Sequence, residues 1–183
     1  MTTLTQQTGA PGSTKGPESL DDFMAHAIAM EAEAAVRYDE LADAMDMHNN
    51  VEVASLFRRM AVIERKHAEQ LLAQMGWSSA PRVRSSAWRS DTGEGPETAA
   101  SEDIHYLMQP YHALQIALRN EERAAQFFGR LAEAARDVKV RDAALELQRE
   151  EQEHVALVHA WLAKVPEPAP DWAVDPDPPR YTD

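Results

Sequence analysis

Four stretches of the chain repeat apolar residues in alternating steps of four and three, and one glutamate interrupts each repeat. Steps of four and three place side chains on one face of an α-helix, so the pattern predicts four amphipathic helices with that face toward a core. The interrupting residues are Glu31, Glu64, Glu121 and Glu151. An ionised carboxylate without a partner costs several kcal/mol to bury, so four of them in one core require compensating positive charge.

The periodic stretches predict an all-α chain with two helical hairpins. The predicted helices span 20–46, 50–76, 110–136 and 138–164. Ser19 and Asp22 resemble a capping box at the first start, Gly76 is a typical stop, and Pro110 suits a first helical turn. The segment 77–109 is too long for a tight turn and has no period, which favours a crossover between the two hairpins.

One compact domain is expected from 183 residues, of which 44% are hydrophobic. We place the four-helix bundle at 19–165. The segments 1–18 and 166–183 are rich in Pro, Gly, Ser, Thr or Asp, which is typical of disordered or extended tails.

The second half of the chain repeats the first half. Glu121 follows Glu31 by 90 residues, Glu151 follows Glu64 by 87, and a histidine stands three residues after each member of the second pair. Residues three apart share a helix face, so each Glu-x-x-His can present an oxygen and a nitrogen to one ion. Alone, such a pair is typical of a solvated surface; the matched repetition at core positions favours a metal site.

The predicted metal ligands are Glu31, Glu64, His67, Glu121, Glu151 and His154. One glutamate from each of two helices and a Glu-x-x-His from each of the other two is the pattern of di-iron carboxylate bundles. These donors suit iron or manganese and also accept zinc. Glu150 also lies near His154 along its helix and is the alternative to Glu151, but the repeat favours Glu151.

Charge and composition exclude several classes of function. The formal net charge of −13 at pH 7 disfavours nucleic acid and anionic membranes as partners. The sequence has no cysteine, which excludes thiolate metal sites, cysteine-ligated iron–sulfur clusters and a catalytic thiol among its residues. The N-terminus lacks the apolar run of a signal peptide, and no segment approaches the roughly 20 apolar residues of a membrane span, so we expect a cytoplasmic protein.

Four segments resemble the rubrerythrin branch of the ferritin-like superfamily. They are E-x-E-A-A-x-R-Y-D-E-L-A at 31–42, E-R-K-H at 64–67, E-E-R-A-A-Q-F-F-G-R-L-A at 121–132 and E-Q-E-H at 151–154. The resemblance implies a ferritin-like bundle in which Glu64 and Glu151 bridge two metal ions. It also implies a homodimer, an external electron donor, and a second-sphere tyrosine, Tyr38, that hydrogen-bonds to a ligand carboxylate.

The resemblance also implies the ligands of each metal separately. Glu31 and His67 would complete the shell of one metal, and Glu121 and His154 that of the other. Tyr38 could equally serve as an ordinary core aromatic residue, so both of its roles stay open here.

The chain departs from classical rubrerythrins at two points. It has no cysteine for a rubredoxin iron, and it has Ala124 where they carry an extra glutamate one turn after the third-helix ligand. The resemblance therefore implies a six-ligand site closer to the ferroxidase centre of bacterioferritins. Arg65 occupies the position of the bacterioferritin haem methionine, so no haem is expected.

The leading hypothesis from the sequence is a non-haem di-iron oxidoreductase that oxidises Fe(II) or reduces hydrogen peroxide or O2. A first alternative is a di-iron oxygenase that acts on an organic substrate and needs an apolar access pocket. Two further alternatives are an iron-storage subunit and a bundle in which the metal is only a structural clamp. The ligands alone do not choose among these reactions.

Overall fold

The chain folds as two helical hairpins that pack into a four-helix bundle. A computed structural model describes residues 19–83 and 105–175, and within these ranges it contains helices and no strand. The helices are α1 (Leu20–Met47), α2 (Val51–Gln74), α3 (Pro110–Ala134) and α4 (Val138–Leu162). Most helix contacts join α1 to α2 and α3 to α4. The predicted all-α, ferritin-like bundle of two hairpins is confirmed.

Parts of the predicted tails and crossover lie outside the described residues. These parts are 1–18, 84–104 and 176–183. No helix within residues 19–83 and 105–175 combines the length and the apolar character that a membrane crossing needs.

Side-chain caps explain where the helices of the first hairpin begin. The Ser19 hydroxyl accepts a hydrogen bond from the backbone N–H of Asp22 at 3.1 Å, which satisfies a free donor in the first turn of α1. Asn50 caps α2 in the same way through the N–H of Val53. Its side-chain amide also donates to the carbonyl of Met108 at 2.6 Å, across to the segment before α3. Helix α2 therefore begins one residue after the predicted start.

The end of α2 is a Schellman motif. Gly76 has a φ of 66°, the N–H of Trp77 donates to the carbonyl of Leu72, and that of Gly76 donates to Ala73. A residue without Cβ adopts this left-handed backbone without steric cost, as expected for Gly76. The regular helix stops at Gln74, two residues before the predicted end, because the motif itself takes up the last two positions.

Two apolar clusters fill the bundle, one on each side of the four glutamates. The first contains Tyr38, Phe57 and Leu114. The second contains Phe23 and Phe128, whose rings pack edge to face with centroids 6.3 Å apart. In every helix the interrupting glutamate falls between residues of the first cluster and residues of the second. The glutamates therefore form a polar layer between two apolar layers.

The two hairpins bury their first helices in the same way. Residues 31–40 and 121–130 have the same order of buried, half-buried and exposed positions. The repeat seen in the sequence is thus also a repeat of environments, with Glu31 and Glu121 at equivalent buried positions.

Candidate metal centre

The six predicted ligand side chains lie together in the polar layer between the two apolar clusters. They form three overlapping groups, in each of which one ligand atom per residue lies within 4.8 Å of the others. The groups are Glu64 with His67 and His154, Glu31 with His67 and Glu151, and Glu121 with Glu151 and His154. All six predicted residues are brought together, and their role as metal ligands stays a prediction.

Helix geometry explains how the six side chains converge. In α2, Glu64 and His67 stand three residues apart and point from one face, and Glu151 and His154 do so in α4. Helices α1 and α3 supply one glutamate each. The four glutamates are at most 2% exposed, so the bundle holds them away from water.

Each histidine faces a glutamate from a neighbouring helix through its Nδ1 atom. His67 Nδ1 lies 3.5 Å from an oxygen of Glu31, and His154 Nδ1 lies 3.3 Å from one of Glu121. His154 Nδ1 is also 3.4 Å from Glu151 on its own helix. The two imidazole rings stand 4.8 Å apart between centroids. The site is therefore built from two similar halves, one per histidine.

Burial changes the acidity of the carboxyl groups. Loss of hydration and, to a smaller extent, the nearby charge of Glu121 raise the pKa of Glu64 to about 8. Burial likewise raises the pKa of Glu151 to about 7. Without a cation, these two carboxyl groups keep protons at a pH where an exposed glutamate is ionised.

The two histidines respond to the site in opposite directions. Burial and, to a smaller extent, the neighbouring His154 lower the pKa of His67 to about 4. Burial also lowers the pKa of His154, but hydrogen bonds to Glu121 and Glu151 outweigh that effect and raise it to about 11. Without metal, His67 is neutral and His154 is an imidazolium that partly balances the carboxylates.

Several buried ligand atoms fit a metal ion better than they fit the surrounding protein. Glu64 Oε1, Glu151 Oε1 and His67 Nδ1 are buried and make no hydrogen bond to any residue of 19–83 or 105–175. Buried polar atoms are normally satisfied, because leaving one unsatisfied costs about 1–3 kcal/mol. Oxygen and imidazole nitrogen donors together suit iron, manganese or zinc. The donor set therefore fits the metal that the sequence predicts.

Tyr38 lies beside the cluster of predicted ligands. Its hydroxyl donates to Glu121 Oε1 at 3.5 Å and accepts a hydrogen bond from Asn120 Nδ2 at 3.2 Å. It also stacks on Phe57 in the first apolar cluster, so it is both a core aromatic residue and a neighbour of the site. Sequence reasoning missed Asn120, which is 2% exposed, because it lies off the periodic stripe.

Removing the Tyr38 hydroxyl is expected to lower the free energy of unfolding without changing the number of metal ions bound. Tyr38→Phe leaves Asn120 Nδ2 without this acceptor, so the free energy of unfolding should fall by about 1–2 kcal/mol in urea titrations. Metal stoichiometry should not change. Tyr111→Phe, on a half-buried tyrosine of α3, is the matched control. A stability equal to that of the control would show that the hydroxyl contacts contribute nothing.

The sequence offers Glu150 and Glu151 as alternatives for one ligand position. Their surroundings in the structure differ. Glu151 is 1% exposed and lies inside the polar layer. Glu150 is 38% exposed at its side chain, and its Oε2 lies 3.2 Å from Nε2 of His67. Glu151 is therefore the residue within the groups of ligand atoms, and Glu150 stands on the outer side of a histidine.

A cleft of about 330 Å³ between α2 and α4 opens onto both histidines. Its lining residues are Ile63, Lys66, His67, Gln70, Glu150, Glu153 and His154. Six of these seven side chains are polar or charged. The cleft therefore connects solvent with the site through a polar surface.

The fold and this site together define a four-helix carboxylate–histidine bundle of the ferritin-like class. The sequence model of the rubrerythrin family, described as Rubrerythrin, matches residues 22–162. The chain belongs to the rubrerythrin family, which confirms the resemblance drawn from its four segments. Ala124, at the position of the extra glutamate of classical rubrerythrins, is fully buried in α3 and offers no ligand atom.

One solved structure extends the comparison. A crystal structure of an uncharacterized conserved protein from Magnetospirillum magnetotacticum is 37% identical in sequence and superposes with a TM-score of 0.60. The alignment covers 82% of this chain and 98% of that chain. No curated protein matches the sequence.

Proposed function

We propose that this protein is a di-iron oxidoreductase that oxidises Fe(II) or reduces hydrogen peroxide or O2. The observation that carries the proposal is the convergence of the six ligand side chains in three overlapping groups, each tight enough for one ion to contact every member. The unsatisfied buried atoms of Glu64, His67 and Glu151 support it, since a cation would satisfy them. Membership of the rubrerythrin family supports iron over manganese or zinc.

Charge balance supports two ions rather than one. The four buried glutamates carry four negative charges when ionised, and the two histidines bind metal in their neutral form. Two divalent cations cancel that charge, whereas a single one leaves two buried negative charges uncompensated. An uncompensated charge in such a site is strongly destabilising.

The protein residues hold the ions, move protons and limit access of water. Two Fe(II) ions, when bound, can each supply one electron to O2 or hydrogen peroxide. Glu64, Glu151 and His154 hold protons in the metal-free site and release them when metal binds. The apolar clusters shield the site on two sides, and the cleft between α2 and α4 opens it to solvent.

The character of the cleft favours a small polar oxidant over an organic substrate. Organic ligands usually bind in concave sites lined mainly by apolar and aromatic side chains. Among the residues of the cleft, only Ile63 is apolar. Fe(II), hydrogen peroxide and water all suit such a lining, so we prefer a ferroxidase or peroxide reductase to an oxygenase.

An external donor is part of the proposal. The 183 residues contain no cysteine, so they cannot hold the rubredoxin iron that supplies electrons in classical rubrerythrins. Electrons for repeated turnover would therefore come from another molecule. The homodimer and the cytoplasmic location stay predictions.

Anaerobic loading with Fe(II) tests the proposal. We expect elemental analysis to find about two irons per chain after removal of free metal, as the di-iron bundles hold. Rapid mixing with hydrogen peroxide or with O2 should then oxidise both ions, as followed by the optical spectrum. One iron per chain, or two that neither oxidant changes, would contradict the proposal. Size-exclusion chromatography of the same sample separates a large storage shell from a small oligomer.

A further inference from the structure

The two halves of the candidate centre differ in what stands behind each histidine. The Nε2 atom of His67, on the side away from Glu31, lies 3.2 Å from a carboxylate oxygen of Glu150. His67 is 8% exposed, and its Nδ1 atom makes no hydrogen bond to residues within 19–83 and 105–175. One ring nitrogen thus has a carboxylate partner, while the other points into the site.

In the internal repeat, the position equivalent to Glu150 carries no carboxylate. Glu150 stands immediately before Glu151, and the equivalent residue before Glu64 is Ile63. Ile63 and Glu150 line the same cleft, together with His67 and His154. The isoleucine side chain has no hydrogen-bond acceptor. The duplicated hairpins therefore carry a carboxylate at one of two equivalent positions and a hydrocarbon side chain at the other.

We propose that Glu150 is a positioning residue for His67 and makes the metal position on the His67 side the tighter of the two. This inference rests on the proposed two-metal function. In this proposal the carboxylate of Glu150, 3.2 Å from Nε2, holds the ring proton of His67 on that nitrogen, which leaves the lone pair of Nδ1 facing Glu31 and the buried glutamates. A neutral imidazole carries one N–H, so fixing it at one nitrogen fixes the lone pair at the other.

The expected difference in affinity follows from the hydrogen-bond acceptor that a metal-bound histidine usually has at its second ring nitrogen. Donation of the second ring N–H to a carboxylate orients the ring and makes the bound nitrogen more basic. Loss of such a partner typically weakens metal binding by about 10–100-fold. His67 has this partner in Glu150, whereas the repeat equivalent of Glu150 is Ile63, so we expect the two ions to bind with unequal affinity.

Reciprocal substitutions test the inference with Zn(II) alone, by competition calorimetry on the full chain. The wild type should bind two Zn(II) ions in two steps of different affinity. Glu150→Ile introduces the residue found at the equivalent position, Ile63, and should weaken the tighter step by about 10–100-fold. Ile63→Glu offers His154 a carboxylate and should strengthen the weaker step. Glu153→Ile, which alters an exposed carboxylate of the same cleft, should leave the two steps as in the wild type.

A nitrogen-15 NMR spectrum of the metal-free histidines supplies a readout that a general loss of stability would not change. In the wild type His67 should carry its proton on Nε2, and in Glu150→Ile that preference should be lost. An unchanged tautomer in Glu150→Ile overturns the inference. Equal weakening in Glu150→Ile and Glu153→Ile also overturns it, because the cleft charge alone would then explain the effect. Failure of the wild type to bind two ions would instead contradict the proposed function.

Discussion

Replacing Glu64 and Glu151 together by glutamine is expected to abolish the binding of both metal ions and the oxidation that depends on them. Each of the three groups of ligand atoms contains at least one of these two residues. Glutamine has nearly the same size but no negative charge, so the four buried negative charges fall to two. Anaerobic Fe(II) loading followed by elemental analysis measures the loss, and the stopped-flow optical signal measures oxidation.

The same double variant should still fold without metal. The two carboxyl groups already keep protons in the metal-free protein near neutral pH, because burial raises their pKa values to about 8 and about 7. Neutral glutamines therefore replace groups that were largely neutral, and a buried charge that is never formed costs nothing. Circular dichroism and urea unfolding of metal-free samples should show a helical bundle at least as stable as the wild type.

The matched control replaces two exposed glutamates of the same helices, Glu69→Gln in α2 and Glu146→Gln in α4. It removes the same charge without touching the polar layer and should bind and oxidise two irons. Full iron binding by the double variant at Glu64 and Glu151 would show that the ligand assignment is wrong. Collapse of that variant without metal would instead favour a structural role, with the glutamates needed for folding itself.

The metal-free protein is expected to become less stable as the pH rises from 6.5 to 8. Glu64 and Glu151 have folded pKa values of about 8 and about 7, raised above the ordinary 4.5, so the folded state holds their protons after the unfolded chain has released them. The stability they contribute is complete below pH 4.5 and is lost as the pH rises through the folded values. His154, raised from 6.5 to about 11, changes stability in the same direction above pH 6.5.

His67 changes the stability with pH in the opposite direction, which sets the pH range in which the prediction can be tested. Its pKa falls from 6.5 to about 4, so it favours the folded state increasingly between pH 4 and 6.5 and has no further effect above that. Above pH 6.5, Glu64, Glu151 and His154 all lower the stability of the folded state as the pH rises. For each proton that the folded state binds and the unfolded chain does not, the free energy of unfolding falls by about 1.4 kcal/mol for every unit of rising pH.

Urea unfolding at pH 6.5 and 8, with and without Zn(II), measures this dependence. Bound metal replaces the protons, so the metal-loaded protein should keep its stability over the same interval. The Glu64→Gln and Glu151→Gln double variant should show a shallower decline without metal, since the two carboxyl groups with raised pKa values are gone. A metal-free wild type that gains stability between pH 6.5 and 8 would contradict the protonation states assigned to the site.

The positions of the candidate ligands along the helices could be predicted because one residue out of place in a periodic stripe is a local signal. Glu31 and Glu121 interrupt apolar faces, and a reader of the sequence needs only the helical period to place them inside. The histidines follow from their spacing to Glu64 and Glu151. These features depend on one helix at a time, so the internal repeat was enough to identify the class of site.

Other features depend on contacts between helices and left little trace in the sequence. Glu150 is next to Glu151 in the sequence, but its approach to His67 depends on how the second hairpin sits against the first. Asn120 lies off the stripe, and its bond to Tyr38 joins two hairpins. The helix ends shifted by one or two residues for a related reason, since Asn50 also binds Met108 and the Schellman motif uses both Gly76 and Trp77.

The imidazolium of His154 has a consequence for how the protein matures. It lies between Glu121 and Glu151 and supplies positive charge before any metal is present. Together with the raised pKa values of Glu64 and Glu151, it lowers the net negative charge of the buried layer, so we expect the newly made chain to fold without metal. Metal loading would then exchange protons for cations in a folded scaffold, with the cleft between α2 and α4 as its opening to solvent.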